Sequence, residues 1–374
     1  MIGRRKKHYK VLIPQELVEE HYIGELYGTY SEESGIYNVF NFSMQQSLEK
    51  ASCIGMIQED YTEGEGINGY WENGQLKFKK DNVEYLVEQY SLTQNIFSRN
   101  TGILESNIML DKTAIILGCG SVGSLIALEL CRSGVGKFLL IDNDVVEYHN
   151  LCRHQCNIYD VGKYKVCALK ERIVAINPSA SVDIYIGTVE TAAKELFDNH
   201  CIENESILIG CADNRAADVY ANSIAVMYKI PFISVGFWER AFAGEIFYYL
   251  PNKSMPCYKC ALGDGGELSN RTSTNRRIYT NEEDLEKVNF EPGISVDINF
   301  VTTIGIKLVL DILNMNNEKF TPRVLDSLKQ YTLVCNTNKP EIGGEMAEIF
   351  SYPLQVTTSL EVGHGCNCPP CEYE

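Results

Sequence analysis

The stretch LGCGSVGSLIALEL, residues 117–130, decides the fold. It carries Gly118, Gly120 and Gly123 in the spacing G-x-G-x-x-G. The apolar run TAIIL (113–117) precedes it and predicts a buried strand. Ser121 to Arg132 follows with helical spacing, and Ser133-Gly134 ends it. In that context each glycine serves a different end, one a tight turn, one close backbone approach to a phosphate, and one the packing of helix on strand. The helix start then offers free N–H groups to an anion. A second apolar run, KFLLID (137–142), places Asp142 nineteen residues past Gly123, at the next strand end, where a carboxylate suits a ribose hydroxyl. At this point a nicotinamide or flavin oxidoreductase, a nucleotide-binding scaffold and an ATP enzyme all remain open.

Outward from the loop, strands and helices alternate. KVCALKERIVAIN (165–177) has helical spacing and stops before Pro178, and SILIGCAD (206–213) and PFISVG (231–236) are short apolar strands. This rhythm predicts an α/β fold, a doubly wound Rossmann-like sheet with ligands at the carboxyl ends of its strands. The segment 261–294 is polar and irregular, a connection long enough to be functional or disordered. SVDINFVTTIGIKLVLDIL (295–313) reads as a buried helix, and residues 336–374 form a polar tail.

Ahead of this region, residues 1–100 form a separate α+β unit. PQELVEEHY (14–22), SMQQSLEKASCIGMI (43–57) and NVEYLVEQY (82–90) carry helical spacing. Asn73-Gly74, between Tyr70-Trp71 and Leu76-Phe78, marks a two-residue hairpin. That order predicts a winged-helix-like domain. From residue 11 to 90 there are 15 Asp and Glu against 4 Lys and Arg, which argues against a DNA-binding use and favours peptide or protein binding, or dimerisation.

Composition bounds the rest. The chain has 374 residues, 45% of them hydrophobic, with a net charge of −17. The acidic balance argues against nucleic acid as a partner, and no apolar run reaches the length of a membrane span. A soluble, cytoplasmic protein is expected. Among fourteen cysteines, two pairs stand out: Cys257 and Cys260 in PCYKC, and Cys368 and Cys371 in CPPC. Two C-x-x-C pairs have the spacing of a four-thiolate zinc site, which here would clip the tail to the loop after the core. Cys366 and His364 are competing ligands.

The stretch after the glycine loop narrows the choice. It reads DNDVVEYHNLCRHQ (142–155), then DVGKYKVCALK (160–170), then Asn177-Pro178, with GCAD at 210–213. This resembles the ThiF/MoeB/HesA adenylyltransferase family, which includes the catalytic domains of ubiquitin-activating enzymes. The resemblance covers roughly residues 95 to 371. It implies ATP and Mg²⁺ as ligands and a structural zinc. It implies a ribose role for Asp142 and a nucleotide-site role for Asp144. Asn150, Arg153 and Lys165 are implied as phosphate contacts, and Asp213 as the acid that helps hold Mg²⁺. Two cations beside a triphosphate suit the loss of pyrophosphate and have no purpose beside a nicotinamide. FSRN (97–100) resembles the segment whose arginine, here Arg99, reaches the partner subunit's nucleotide, which implies a homodimer. His154 stands where the family has glutamine and reads as a satisfied structural histidine. Cys119 reads as a small residue on the turn.

The implied reaction joins a C-terminal carboxylate of a small ubiquitin-like protein or peptide to AMP and releases pyrophosphate. Many relatives then move the acyl group to a cysteine after the first zinc pair, but residues 261–334 contain none. The adenylate would then stay or pass to an outside acceptor protein, a layout similar to the MccB-type peptide adenylyltransferase branch. Alternatively a hydroxyl among Ser269, Thr272, Ser273 and Thr274 would take it, with Arg271, Arg276 and Arg277 beside them. Adenylation of a sulfur-carrier protein is a further alternative. The expected domains are 1–100 for binding or dimerisation, 101–335 for adenylation and 336–374 completing the zinc site.

Overall fold

The computed structural model describes residues 7–41, 51–212, 214–262 and 292–363. The chain divides into two compact units, residues 1–101 with 177–179, and residues 102–176 with 180–374.

The first unit is a closed barrel of seven strands: β1 (Lys10–Pro14), β2 (Gly24–Ser31), β3 (Ile36–Val39), β4 (Ser52–Gln58), β5 (Ile67–Glu72), β6 (Gln75–Lys80) and β7 (Val83–Tyr90). They run in the order β1-β3-β2-β4-β5-β6-β7 around the barrel. Val11, Ile13, Leu26, Val39, Ile57 and Ile67 fill its interior. Closure satisfies every strand edge, which an open sheet of this size would leave exposed.

The barrel overturns the winged-helix expectation. Of its three expected helices, only the first is helical among the described residues, as the short α1 (Gln15–Glu19), after which His21 takes φ 49°. Residues 52–58 are strand instead. Gly55 is the reason: a Cβ there would stand 2.0 Å from the Ile67 carbonyl oxygen, so glycine lets β5 pair closely. Residues 43–50 of that expected helix lie outside the described residues. At 83–90 the helical and alternating patterns compete. Pairing with β1 on one side and β6 on the other decides for strand, because β7 closes the barrel. The hairpin is as expected, with Asn73 at φ 52° and Gly74 at φ 74° joining β5 to β6. A second short helix, α2 (Leu92–Ile96), follows β7.

The second unit begins with α3 (Ser106–Asp111) and builds the α/β core. In chain order it contains β8 (Thr113–Leu117), α4 (Ser121–Arg132), β9 (Lys137–Ile141), α5 (Lys165–Ile176), β10 (Ser181–Tyr185) and α6 (Lys194–His200). Then come β11 (Ser206–Gly210), α7 (Arg215–Met227), β12 (Phe232–Phe237), β13 (Ala243–Tyr249), α8 (Tyr258–Leu262), α9 (Ser295–Leu313), β14 (Tyr331–Cys335) and β15 (Gln355–Leu360). The sheet order is β10-β9-β8-β11-β12-β13-β14-β15. The first five strands are parallel and the last three antiparallel. Parallel strands covered by helices on both faces are largely apolar, and β8 and β11 are buried at every position. The strand order reverses between β8 and β11, so a crevice opens at their carboxyl ends. Among the described residues no helix is long and apolar enough to cross a membrane.

Candidate nucleotide site

The glycine loop lies at that reversal, and its three glycines do three different things. Gly118 leaves β8 at φ 87°, a left-handed conformation that favours glycine. A Cβ there would stand 2.8 Å from the Ala212 nitrogen, so the turn presses directly on the segment leaving β11. Gly120 caps α4 at φ −75°, and a Cβ on it would meet nothing within 4 Å. This is the open side of the loop. Gly123 sits in the first turn of α4, where a Cβ would stand 1.9 Å from the Gly118 carbonyl oxygen. Its lack of a side chain lets helix and loop touch.

The residue between the first two glycines is held at both ends of its backbone. The Cys119 N–H donates to Asp142 Oδ2 at 2.6 Å, and His154 Nε2 meets the Cys119 carbonyl at 2.6 Å. The Cys156 N–H donates to His154 Nδ1 at 3.0 Å, so Nδ1 is the acceptor and Nε2 carries the proton given to Cys119. Burial lowers the His154 pKa below its ordinary value. Its bond to Cys119 opposes that shift and the Lys165 charge adds to it. The imidazole is therefore a neutral, satisfied clamp, in line with its structural reading. Burial, helped by Asp142, holds the Cys119 thiol well above its ordinary value, so the loop cysteine is no nucleophile at neutral pH. Asp142 also acts through its other oxygen: Oδ1 accepts the Asp144 N–H at 2.8 Å, which orders the start of the following segment.

That segment collects the polar candidates. Asn150 Oδ1 accepts the Glu147 N–H at 2.9 Å, while the Glu147 side chain accepts the Asn150 N–H, closing a reciprocal cap on a short 3₁₀ turn. The Asn150 carbonyl then accepts the N–H groups of Arg153 at 3.0 Å and His154 at 2.8 Å. One asparagine thus sets the path of the turn that carries both the arginine and the loop clamp. Arg153 is half-buried, its Nη1 adjacent to Gly293. Lys165 opens α5 and is 8% exposed; its Nζ donates to Asp144 Oδ2 at 2.7 Å. Asp144 is exposed, so the pair has a buried cation and a solvated anion. An ammonium has three donors, and Asp144 takes one of them.

The structure thus brings Gly118, Gly120, Gly123, Asp142, Asp144, Asn150, Arg153 and Lys165 into one unit around the reversal of the sheet. Asp213 lies outside the described residues, although Ala212 and Asn214 on either side are described. Arg99 is exposed in the turn after α2, in the barrel-bearing unit. Cys257 and Cys260 stand at the start of α8 with their sulfurs 3.7 Å apart. That is too far for a disulfide and fits the edge of a tetrahedral zinc site, about 3.8 Å for Zn–S bonds of about 2.3 Å. Cys368, Cys371, Cys366 and His364 lie outside the described residues, as do Ser269, Thr272, Ser273, Thr274 and the nearby Arg271, Arg276 and Arg277. Among the described residues no group of three or more His, Cys, Asp and Glu could hold a metal ion.

Sequence reading missed one cluster, a buried carboxylate at Glu245 with Arg215, Trp238 and Tyr331 around it. Its signal was a charged residue inside the apolar run AFAGEIFYYL (241–250).

Comparison with known proteins agrees with this geometry. The ThiF family matches residues 95–341. Over 159 residues the chain is 30% identical to ubiquitin-like modifier-activating enzyme 5 of Caenorhabditis briggsae, covering 40% of this chain and 36% of that protein. Over 155 residues it is 34% identical to the sulfur carrier protein ThiS adenylyltransferase of Bacillus subtilis (strain 168), covering 40% and 43%. The chain spans less than half the length of these curated relatives. Among solved structures, E. coli MccB shares the fold at a TM-score of 0.51, with 21% identity, over 74% of this chain and 72% of that one. With the family matched over more than half its length, and the glycine turn, its two clamps and the cation-bearing segment assembled at one end of the sheet, this chain belongs to the ThiF family.

Proposed function

We propose that the protein is an ATP-dependent adenylyltransferase that activates the C-terminal carboxylate of a small ubiquitin-like protein or peptide. The observation that carries this reading is the pinned glycine loop, with Arg153 and Lys165 on the segment that also supplies its clamp. A hydride-transfer site has no use for two cations there.

In the proposed reaction a carboxylate oxygen bonds to the α-phosphorus of ATP. The bond from that phosphorus to the α,β-bridging oxygen breaks, and pyrophosphate leaves with the electron pair. The carboxylate is already a nucleophile, so no general base is required. The loop N–H groups and α4 start receive phosphate oxygens, Asn150 and Arg153 orient the chain, and Lys165 offsets charge on the departing group. Asp142 both holds the loop and accepts from the ribose. Magnesium, held in part by Asp213, would supply charge neutralisation of the phosphates.

The Cys257–Cys260 spacing supports a structural zinc completed by Cys368 and Cys371. Arg99 is proposed to serve the nucleotide of a second copy in a homodimer. The barrel unit is proposed to bind the substrate peptide or protein or to mediate that dimer. The acyl group is proposed to stay as the adenylate or pass to an external acceptor. A second reading, with a sulfur-carrier protein as substrate, is favoured by the 34% identity to the ThiS adenylyltransferase. Incubating the protein with ATP and a lysate, then identifying adenylated species by mass spectrometry, tests the function. A carboxyl-terminal AMP adduct that an Asp213→Ala variant fails to form supports it. Phosphorylated or nicotinamide-reduced products instead would exclude it.

A further inference from the structure

Unpaired charge is rarely buried, and a buried ion pair seldom stabilises a fold on balance. Glu245 is 6% exposed in the middle of β13, within an otherwise apolar strand. Its Oε1 accepts from Arg215 Nη2 at 2.8 Å, and its Oε2 accepts from Trp238 Nε1 at 3.0 Å and the Tyr331 hydroxyl at 2.6 Å. Donors from α7, the end of β12 and β14 fix one carboxylate. Gly236, opposite it on β12, leaves room: a Cβ there would stand 3.3 Å from Glu245 Cγ.

What this carboxylate grips is the first residue of α7. Arg215 follows Asn214, whose side chain caps the helix through the Ala216 N–H at 2.9 Å. One turn later, on the same face, Asp218 accepts from Ser234 Oγ at 2.6 Å. The Asp218 carboxylate also rests against Gly210, the last residue of β11, where a Cβ would stand 2.3 Å from Oδ1. The chain leaving β11 is therefore held at Gly210 from Asp218, and the start of α7 is held at Arg215 from Glu245. The Cys211–Ala212 peptide is the one that presses on Gly118.

We infer that the Arg215–Glu245 pair, seated on Trp238 and Tyr331, is a positioning device that sets the strand-end acid segment against the glycine loop. It touches no substrate; it acts through the segment it fixes. The inference rests on the reading that this segment, through Asp213, serves Mg·ATP.

The test is equilibrium ATP binding by calorimetry with and without Mg²⁺, beside urea unfolding, for the full chain. Replacing the pair together, Arg215→Met with Glu245→Gln, keeps an acceptor oxygen for Trp238 Nε1 and the Tyr331 hydroxyl, and is expected to leave the urea midpoint little changed. The Mg²⁺-dependent gain in ATP affinity is expected to fall about tenfold or more, as for other residues that orient metal ligands. ATP affinity in EDTA should hardly move, a split that a merely structural role would not produce. If the double variant does not fold, Arg215→Lys, which keeps the charge on a different reach, carries the same expectation. An unchanged Mg²⁺ gain in the folded variant overturns the inference, provided Asp213→Ala loses that gain. If Asp213→Ala keeps the gain, the reading of Asp213 fails, and this inference with it.

Discussion

Two single-methyl substitutions in the glycine loop should have opposite consequences, because the space around the two glycines is opposite. At Gly123 an added Cβ stands 1.9 Å from the Gly118 carbonyl oxygen, 3.0 Å from its carbon and 3.2 Å from Ile116 Cγ2. A carbon and a carbonyl oxygen settle no closer than about 3.3 Å. Gly123→Ala must therefore open the helix–loop contact by about 1.4 Å, the difference between that distance and 1.9 Å. The atoms in the way are backbone, so no side chain can swing aside. Overpacking of this kind costs about 1–3 kcal/mol. It also displaces the phosphate-facing backbone, and a misplacement of about 1 Å costs up to about 10²-fold in function. At Gly120 nothing lies within 4 Å, so Gly120→Ala should leave stability within about 0.5 kcal/mol of the parent. Its methyl enters the space assigned to phosphate. Loss of a single charge-assisted hydrogen bond, about 1.5–3 kcal/mol, would weaken ATP by roughly tenfold or more. Urea unfolding without nucleotide and ATP titration calorimetry measure the two quantities separately. Equal stability for Gly123→Ala, or undiminished ATP affinity for Gly120→Ala, would refute the assignment of packing to one glycine and ligand space to the other.

Three further outcomes follow from the same site. His154 is held neutral with its pKa below the usual 6.5, so the unfolded chain takes up the proton first. Its stabilising contribution is complete above about pH 6.5 and declines as pH falls from there toward the folded value. Urea midpoints across that range should show the decline, and His154→Gln, which also offers an N–H to Cys119, should flatten it; an unchanged slope would count against the clamp. Lys165→Met leaves Asp144 in solvent, so stability should change by under about 1 kcal/mol, while adenylation should drop by about 10²-fold. A variant with parental turnover would remove Lys165 from the reaction. Finally, purified protein should carry one zinc per chain by metal analysis, and Cys260→Ser should release it. Protein free of zinc would show that the 3.7 Å sulfur pair serves another purpose.

The α/β core was legible because its signals are local. TAIIL, the glycines and SVDINFVTTIGIKLVLDIL each lie within one element, and their observed bounds are Thr113–Leu117, a turn, and Ser295–Leu313. Asp142 came from its distance past the glycine loop, and Asn150, Arg153 and Lys165 from the family resemblance; the structure adds what neither shows, that Asp142 and Asn150 organise backbone. The barrel was hidden because closure is a long-range property. NVEYLVEQY carries both periods, and only the neighbours β1 and β6 decide between them. Strands β10 and β14 went unread for a similar reason, since each pairs with a strand distant in sequence; β13 and β15 went unread as well. Glu245 stood out only as a charge within an apolar run; its partners were hidden because its three donors lie up to 86 residues away.

The central claim is that ATP is cleaved between its α- and β-phosphates by a carboxylate. The direct measurement is ³¹P NMR of ATP incubated with Mg²⁺, the purified protein and a size-fractionated pool of cellular peptides and small proteins. The predicted product is pyrophosphate, matched by AMP that hydroxylamine releases from the acylated pool. ADP with inorganic phosphate as the products would contradict it.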